Sequence, residues 1–258
     1  MIAPVRKAIQ TRDLFVTLIE RDIRLRAKRS SLATFWPVVS PLFLMSLYMF
    51  VFSSVFNANV ERYPEFLLCG LLPWSFLVQT LGKTITSISA EPEMVRKSPF
   101  PYELLPLGAV GGHAVNFLIA LTGFVGYLAV VGHLHWALFP ALIAPIAAVM
   151  LLVMALSMLV SLIDVYNQDL RLVLGNILTL WFFIVPIVYR PDMAPTSMHF
   201  LRSIDPMNLI VSQFRSVLYY GHIQKPGDFI LMFVVCVAFF AGSLALFRVL
   251  SRNLPKDV

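Results

Sequence analysis

Between Glu103 and Asp164 the chain carries no Asp, Glu, Lys or Arg. A soluble fold has no means of covering such a stretch with polar surface, since ordinary domains hold about 25% charged residues. One helix of that length is implausible. His133, Trp136 and Pro140 divide it into two runs, 104–132 and 134–163. Each exceeds the roughly 20 helical residues that cross about 30 Å of hydrocarbon. Four further uncharged runs, 35–56, 66–82, 172–189 and 229–247, approach or exceed that length. Strands of a closed barrel would alternate apolar and polar residues, and these runs do not. With 59% hydrophobic residues, 13% charged residues and a mean hydropathy of +0.80, the chain reads as a single all-α integral membrane domain over residues 1–258 with six transmembrane helices.

Six spans place both termini on one side. With the N-terminus inside, only Arg62, Arg190, Arg202, Arg215 and Lys225 of the 20 basic residues fall outside. The positive-inside rule therefore favours N-in, C-in. The second run stops at Lys83 and continues as TITSISA, so its helix is expected over about 63 to 89, with Lys83 reaching towards the interface. The N-terminal 33 residues are strongly basic and lack a cleavable secretory pattern, so the first span reads as an uncleaved anchor. Cys69 and Cys236 fall in apolar runs and read as small buried hydrophobes.

Three segments do not span. Residues 13–29, DLFVTLIERDIRLRAKR, form a helix candidate with Thr11 as N-cap and Asp13 in the first turn. Leu14, Phe15, Leu18, Ile19 and Ile23 recur at helical spacing. Arg21, Arg24, Arg26, Lys28 and Arg29 crowd its far end. Two readings stand: a helix lying on anionic headgroups, or one that also presents a face to a cytoplasmic partner. Residues 91–101 lie on the cytoplasmic side of the same count. Glu91 suits a cap and Pro92 a first turn, whereas Pro99 and Pro101 close the helix within two turns. So short a helix needs outside support; the alternative is a solvated turn. Within the outer segment 190–227, MNLIVSQFRSVLYYG (207–221) has helical period but is too short to cross, and reads as interfacial or re-entrant.

The familiar motifs carry little chemistry. GKT at 82–84 lacks the earlier glycine of a phosphate-binding loop, because Leu77 stands there, and lacks a preceding strand. His133 and His135 have no third ligand nearby in sequence, and interfacial packing suits them better than metal. His113 and Asn116 lie inside the third span, where hydrogen bonding between helices is the plainer role. Gly108 and Gly112 make a G-x-x-x-G on the same helix. Asp164, Asp169 and Arg171 cluster at the inner end between the fourth and fifth spans. No intramembrane proton relay and no nucleophile with a base is visible. The chain reads as a conduit or scaffold powered from elsewhere.

Several stretches, in this order, carry a family likeness. They are RAKRSSLATFWPVVSPL (26–42), YPEFLLCGLLPWSFL (63–77), RKSPFPYELLPL (96–107), VYNQDLRLVLGNILTLWFFIVPIVY (165–189) and IDPMNLIVSQFRSVLYYG (204–221). The chain resembles the ABC-2 type permeases of polysaccharide exporters, the Wzm/TagG-like subunits, over nearly its whole length. Ala33, Gln168 and Asp205 depart from the usual Gly, Arg and Asn, which leaves the fold in place and the substrate subtype open.

The resemblance implies a half-transporter in a bacterial cytoplasmic (inner) membrane. Two copies would form a homodimeric conduit above two ABC ATPase subunits. It implies no cofactor in this chain, with ATP and Mg held by the partner ATPase, and no nucleic acid or metal. The cargo would be a lipid-linked polysaccharide such as O-antigen or teichoic acid. The interface helix 13–29, with Arg21, Asp22 and Arg26, would meet the ATPase together with the coupling loop 91–101, with Glu91, Glu93, Met94, Arg96, Lys97 and Phe100. Re-entrant helices would precede the last span. Trp36, Trp74, Phe76, Trp181, Phe182, Phe183 and Tyr189 match the aromatics that line the sugar path in the family, although each also suits lipid or the interfacial belt. Export of a small drug or lipid is the alternative within the same fold; a membrane enzyme or assembly scaffold is the alternative outside it.

Overall fold

A computed structural model describes residues 13–21, 24, 36–54, 61–91, 101–190, 203–223 and 226–251. Among them there is no strand. The helices are α1 (13–21), α2 (Trp36–Ser54), α3 (Tyr63–Thr84), α4 (Leu104–Val131), α5 (Ile143–Tyr166), α6 (Leu170–Ile184), α7 (Pro206–Arg215) and α8 (Pro226–Leu250). Four segments are long and apolar enough to cross a membrane: α3, α4, α8 and Trp136–Tyr166, where α5 is led in by a 3-10 turn. α2 has 19 residues and α6 only 15.

The elements follow from local chemistry. α4 stops where Gly132 adopts φ 80°, a left-handed cap that costs other residues strain. Pro140 sits in the 3-10 turn Trp136–Leu142, so the uncharged 60-residue tract breaks where His133, Trp136 and Pro140 predict. α7 starts on Asp205, whose side chain accepts the Met207 N–H at 3.1 Å, with Pro206 in the first turn. The helix expected over 63–89 is shorter. α3 ends at Thr84, and 85–90 continues as tight turns closed by bonds such as Ala90 N–H to Thr86 O. Thr86, Ser87 and Ser89 fall here, and such hydroxyls compete for backbone groups and favour turns, as Ser89 Oγ does in donating to Thr86 O at 3.4 Å.

α3 is the hub. Phe66, Leu67, Leu71 and Leu77 on it are fully buried, and α2, α4, α5 and α7 pack around it. α8 runs along α5 and keeps an apolar outer face, with Ile230 70% and Val249 63% exposed, a surface fit for lipid or protein and not for water. A second cluster, Ile88, Leu105, Met158, Leu162 and Phe247, ties the tail of α3 to α4, α5 and α8 at the end of the bundle that also holds α1.

Candidate functional site

An aromatic seam joins α2, α3 and α6. Tyr48 stacks on Phe182 at 5.6 Å, and Trp74 meets Phe182 at 5.5 Å and Trp181 at 5.7 Å. Phe183 extends it, edge-on to Phe182 at 5.5 Å. Such pairs prefer offset or edge-to-face contact, as here. Trp74 and Phe182 are buried, Trp181 is half-buried, and Phe183 is 59% exposed. Thus four of the seven predicted path aromatics gather, with Phe183 leading to the surface. Phe76 points elsewhere and stacks on Phe117 of α4 at 4.9 Å. Tyr189 donates to Phe183 O at 2.8 Å and so braces the end of α6. Of Trp36 only the backbone is described, opening α2.

After Ile184 the chain leaves the helix, and its freed carbonyls need donors. Arg215 supplies them. It is 2% exposed, donates to Pro186 O at 2.6 Å and to Ile187 O at 2.7 Å, and lies 3.5 Å over the Phe66 ring. α7 is thereby seated against α3 with Met207, Ile210, Val211 and Phe214 fully buried. Trp181 Nε1–H donates to Asp205 at 3.2 Å, which links the seam to the α7 cap. Burial pushes the Asp205 carboxyl above its ordinary value, against the opposing bonds from Trp181 and the Met207 N–H. Gly221 then ends the following π-turn at φ 70°, and any side chain there would collide with His135.

At the same end His133 does more than pack. Its Nδ1 lies 2.6 Å from Glu65 Oε1, and Arg62 sits 3.3 Å from the other oxygen. Glu65 is 3% exposed, and each of its two carboxylate oxygens has a partner. Arg62 also donates to Tyr219 O at 2.9 Å. Spacing gave no hint of this 68-residue link.

The opposite end has its own network. Asp164 is fully buried and paired with Arg171 through both oxygens; Ser89 Oγ donates to Asp164 Oδ2 at 2.7 Å, and Arg171 Nη2 to Ser89 Oγ at 2.9 Å. Two residues beyond Ser89, Glu91 pairs with Arg21 of α1. Leu14, Phe15, Leu18 and Ile19 turn inward as their spacing predicts, while Asp13, Val16, Thr17 and Glu20 are exposed. Phe15, Leu18 and Ile19 lie against Gly108 and Gly111: a Cβ at Gly108 would stand 2.9 Å from Leu18 Cβ, and one at Gly111 would stand 2.5 Å from Ile19 Cδ1. Gly111→Leu is therefore expected to lift α1 off the bundle. Limited proteolysis near residue 20 should quicken by about tenfold, as expected for the loss of about 1.4 kcal/mol of docking.

His113 and Asn116 line a small cleft with Ser75 and Gln79 of α3, beside the Phe76–Phe117 pair, so these polar spanning residues do face another helix. Asp22, Arg26, Glu93, Met94, Arg96, Lys97 and Phe100, expected at the ATPase contact, lie outside the described residues, as do Thr11 and Ile23. Among the described residues no three His, Cys, Asp or Glu side chains gather as a metal site.

A lipid-compatible bundle with four helices long and apolar enough to span, crossed by an aromatic seam and tied off by an ion network at each end, is the architecture of a multi-pass membrane protein. The family model described as ABC-2 type transporter matches residues 13–219, and the chain belongs to that family. It is 28% identical over 227 residues to the O-antigen export system permease protein RfbA of Myxococcus xanthus, covering 85% of each chain. To a protein of that name from Klebsiella pneumoniae it is 27% identical over 247 residues, covering 95% of this chain and 94% of the relative. A second Klebsiella pneumoniae relative of the same name is 25% identical over 212 residues.

Proposed function

We propose that this chain is the permease of an exporter that moves a lipid-linked polysaccharide, O-antigen or a similar glycan, outward across the bacterial inner membrane. The observation that carries this reading is the run of relatives named O-antigen export permeases, aligned over 81% to 95% of the chain. The aromatic seam supports it, because aromatic faces stack on sugar rings and Phe183 leads the seam to the surface of α6.

The working unit is a homodimer with two ABC ATPase subunits, which bind the ATP and Mg. α6 supports the dimer: only Leu174, Leu178 and Phe182 on it are buried, whereas Leu172, Ile177, Leu180 and Phe183 stand free for a second copy or the glycan. The chain crosses six times with both termini cytoplasmic; α2 and α6 counted with the four longer segments support the number, and the basic residues support the orientation. Loop 91–101 and helix 13–29 receive ATPase motion, and 190–227 re-enters at the outer mouth.

Reconstitution tests the proposal. Vesicles holding the permease and its ATPase should translocate lipid-linked glycan with ATP hydrolysis, and vesicles holding the permease alone should not. Full-rate transport without the ATPase overturns it.

A further inference from the structure

A cavity of about 120 Å³ lies where α1, the tail of α3 and the start of α4 meet. That is far more than one ordered water needs, roughly 10–15 Å³. Leu18 and Leu105 form its apolar side; Arg21, Lys83, Thr86, Ser87 and Glu91 form its polar side. The charges do not cancel. Glu91 is committed to Arg21, and among the described residues no carboxylate pairs with Lys83. The Ser87 hydroxyl is sealed from solvent and makes no hydrogen bond among the described residues. A buried hydroxyl without a partner is costly and asks for an acceptor.

We propose that this cavity binds the phosphate of a membrane lipid. The phosphate oxygens accept from the Lys83 ammonium and the Thr86 hydroxyl, and from Ser87 once its unpartnered hydroxyl turns into the cavity it borders, and the lipid chain runs along the Leu18 and Leu105 side. Phosphate suits the site because it offers several acceptor oxygens with negative charge, which the donors here complement. The position suits it too: α1 is amphipathic, the surrounding segments are the basic ones, and Lys83 is the last-turn residue of a spanning helix, at headgroup depth. The site then has a structural consequence, because the lipid bridges α1 to α3 beside the Arg21–Glu91 pair.

Native mass spectrometry on the full-length protein in detergent tests this with phosphatidylglycerol, a polyprenyl diphosphate, and diacylglycerol as the phosphate-free control. Wild type should retain both phosphate lipids and not diacylglycerol. Lys83→Gln with Ser87→Ala should weaken retention by about tenfold, the loss expected for one charge-assisted contact. Lys83→Gln alone, at an exposed position, keeps the comparison valid should the double variant misfold, and Lys83→Arg should bind as wild type. Preference for the diphosphate marks a prenyl-linked source, equal retention marks bulk lipid, and displacement by inorganic phosphate shows that the headgroup suffices. Equal retention by wild type and Lys83→Gln, or equal retention of diacylglycerol, overturns the proposal. None of these readouts requires export, so the site fails or stands separately from the exporter reading.

Discussion

Replacing Arg215 by methionine is expected to lower the thermal midpoint of the detergent-solubilised protein by about 10 °C, with loss of transport. The guanidinium joins three elements at once: α7, which carries it; the unwound end of α6, whose Pro186 and Ile187 carbonyls it satisfies; and α3, whose Phe66 ring it covers. Methionine fills much of the volume but donates nothing. Each orphaned buried carbonyl costs about 1–3 kcal/mol, so the pair costs on the order of 4 kcal/mol. For a chain of this size each kcal/mol moves the midpoint by about 2–4 °C. Arg215→Lys separates charge from geometry. A lysine keeps the charge but is a single point donor, so it spans the two carbonyls and the ring poorly and should recover less than half of the loss. Thermal unfolding followed by fluorescence size-exclusion measures all three proteins. A methionine variant that melts with wild type would mean that the carbonyls find other donors and that α7 is held by its apolar face alone.

The fate of Arg215 also shows what the sequence can express. The spans were legible because hydrocarbon imposes length and composition locally: the tract between Glu103 and Asp164 had to cross twice, and it divides at His133, Trp136 and Pro140 as read. The α1 face was legible for the same reason, since Leu14, Phe15, Leu18 and Ile19 repeat at helical period. Long-range pairing was not. Arg215 is one basic residue in an outer segment, and nothing in its neighbourhood says that carbonyls 28 and 29 residues earlier await it. His133 and Glu65 are likewise ordinary when read alone. The aromatics were legible as a set and not as a place: Trp74, Trp181, Phe182 and Phe183 converge, whereas Phe76, two residues from Trp74, turns away because a helix advances about 100° per residue. Gly108 of the G-x-x-x-G does mark a close approach, and the helix it meets there is α1, which the spacing alone did not name.

The second large effect is expected at Asp164, and its order is the informative part. Arg171→Gln should destabilise more than Asp164→Asn. Removing Arg171 strands a fully buried carboxylate, for which losses of about 3–5 kcal/mol are typical. Removing the charge of Asp164 leaves Arg171, whose side chain is 37% exposed, free to turn to water, so the loss is smaller. The double variant should therefore be more stable than Arg171→Gln alone, a strongly non-additive cycle. A functional effect follows from what the cluster joins. Ser89 precedes the loop that is proposed to meet the ATPase, Asp164 ends α5, and Arg171 begins α6, which carries Trp181 to Phe183. Under the proposed coupling, motion of the loop would reach the aromatic seam through these three side chains and the short turn between α5 and α6. Asp164→Asn, the milder variant, should fold and keep ATP hydrolysis in the reconstituted complex while glycan transport falls by about tenfold or more. Transport and hydrolysis falling together would instead assign the cluster to stability alone, and unchanged transport would route coupling through the packed Ile88, Leu105, Met158, Leu162 and Phe247 cluster beside it.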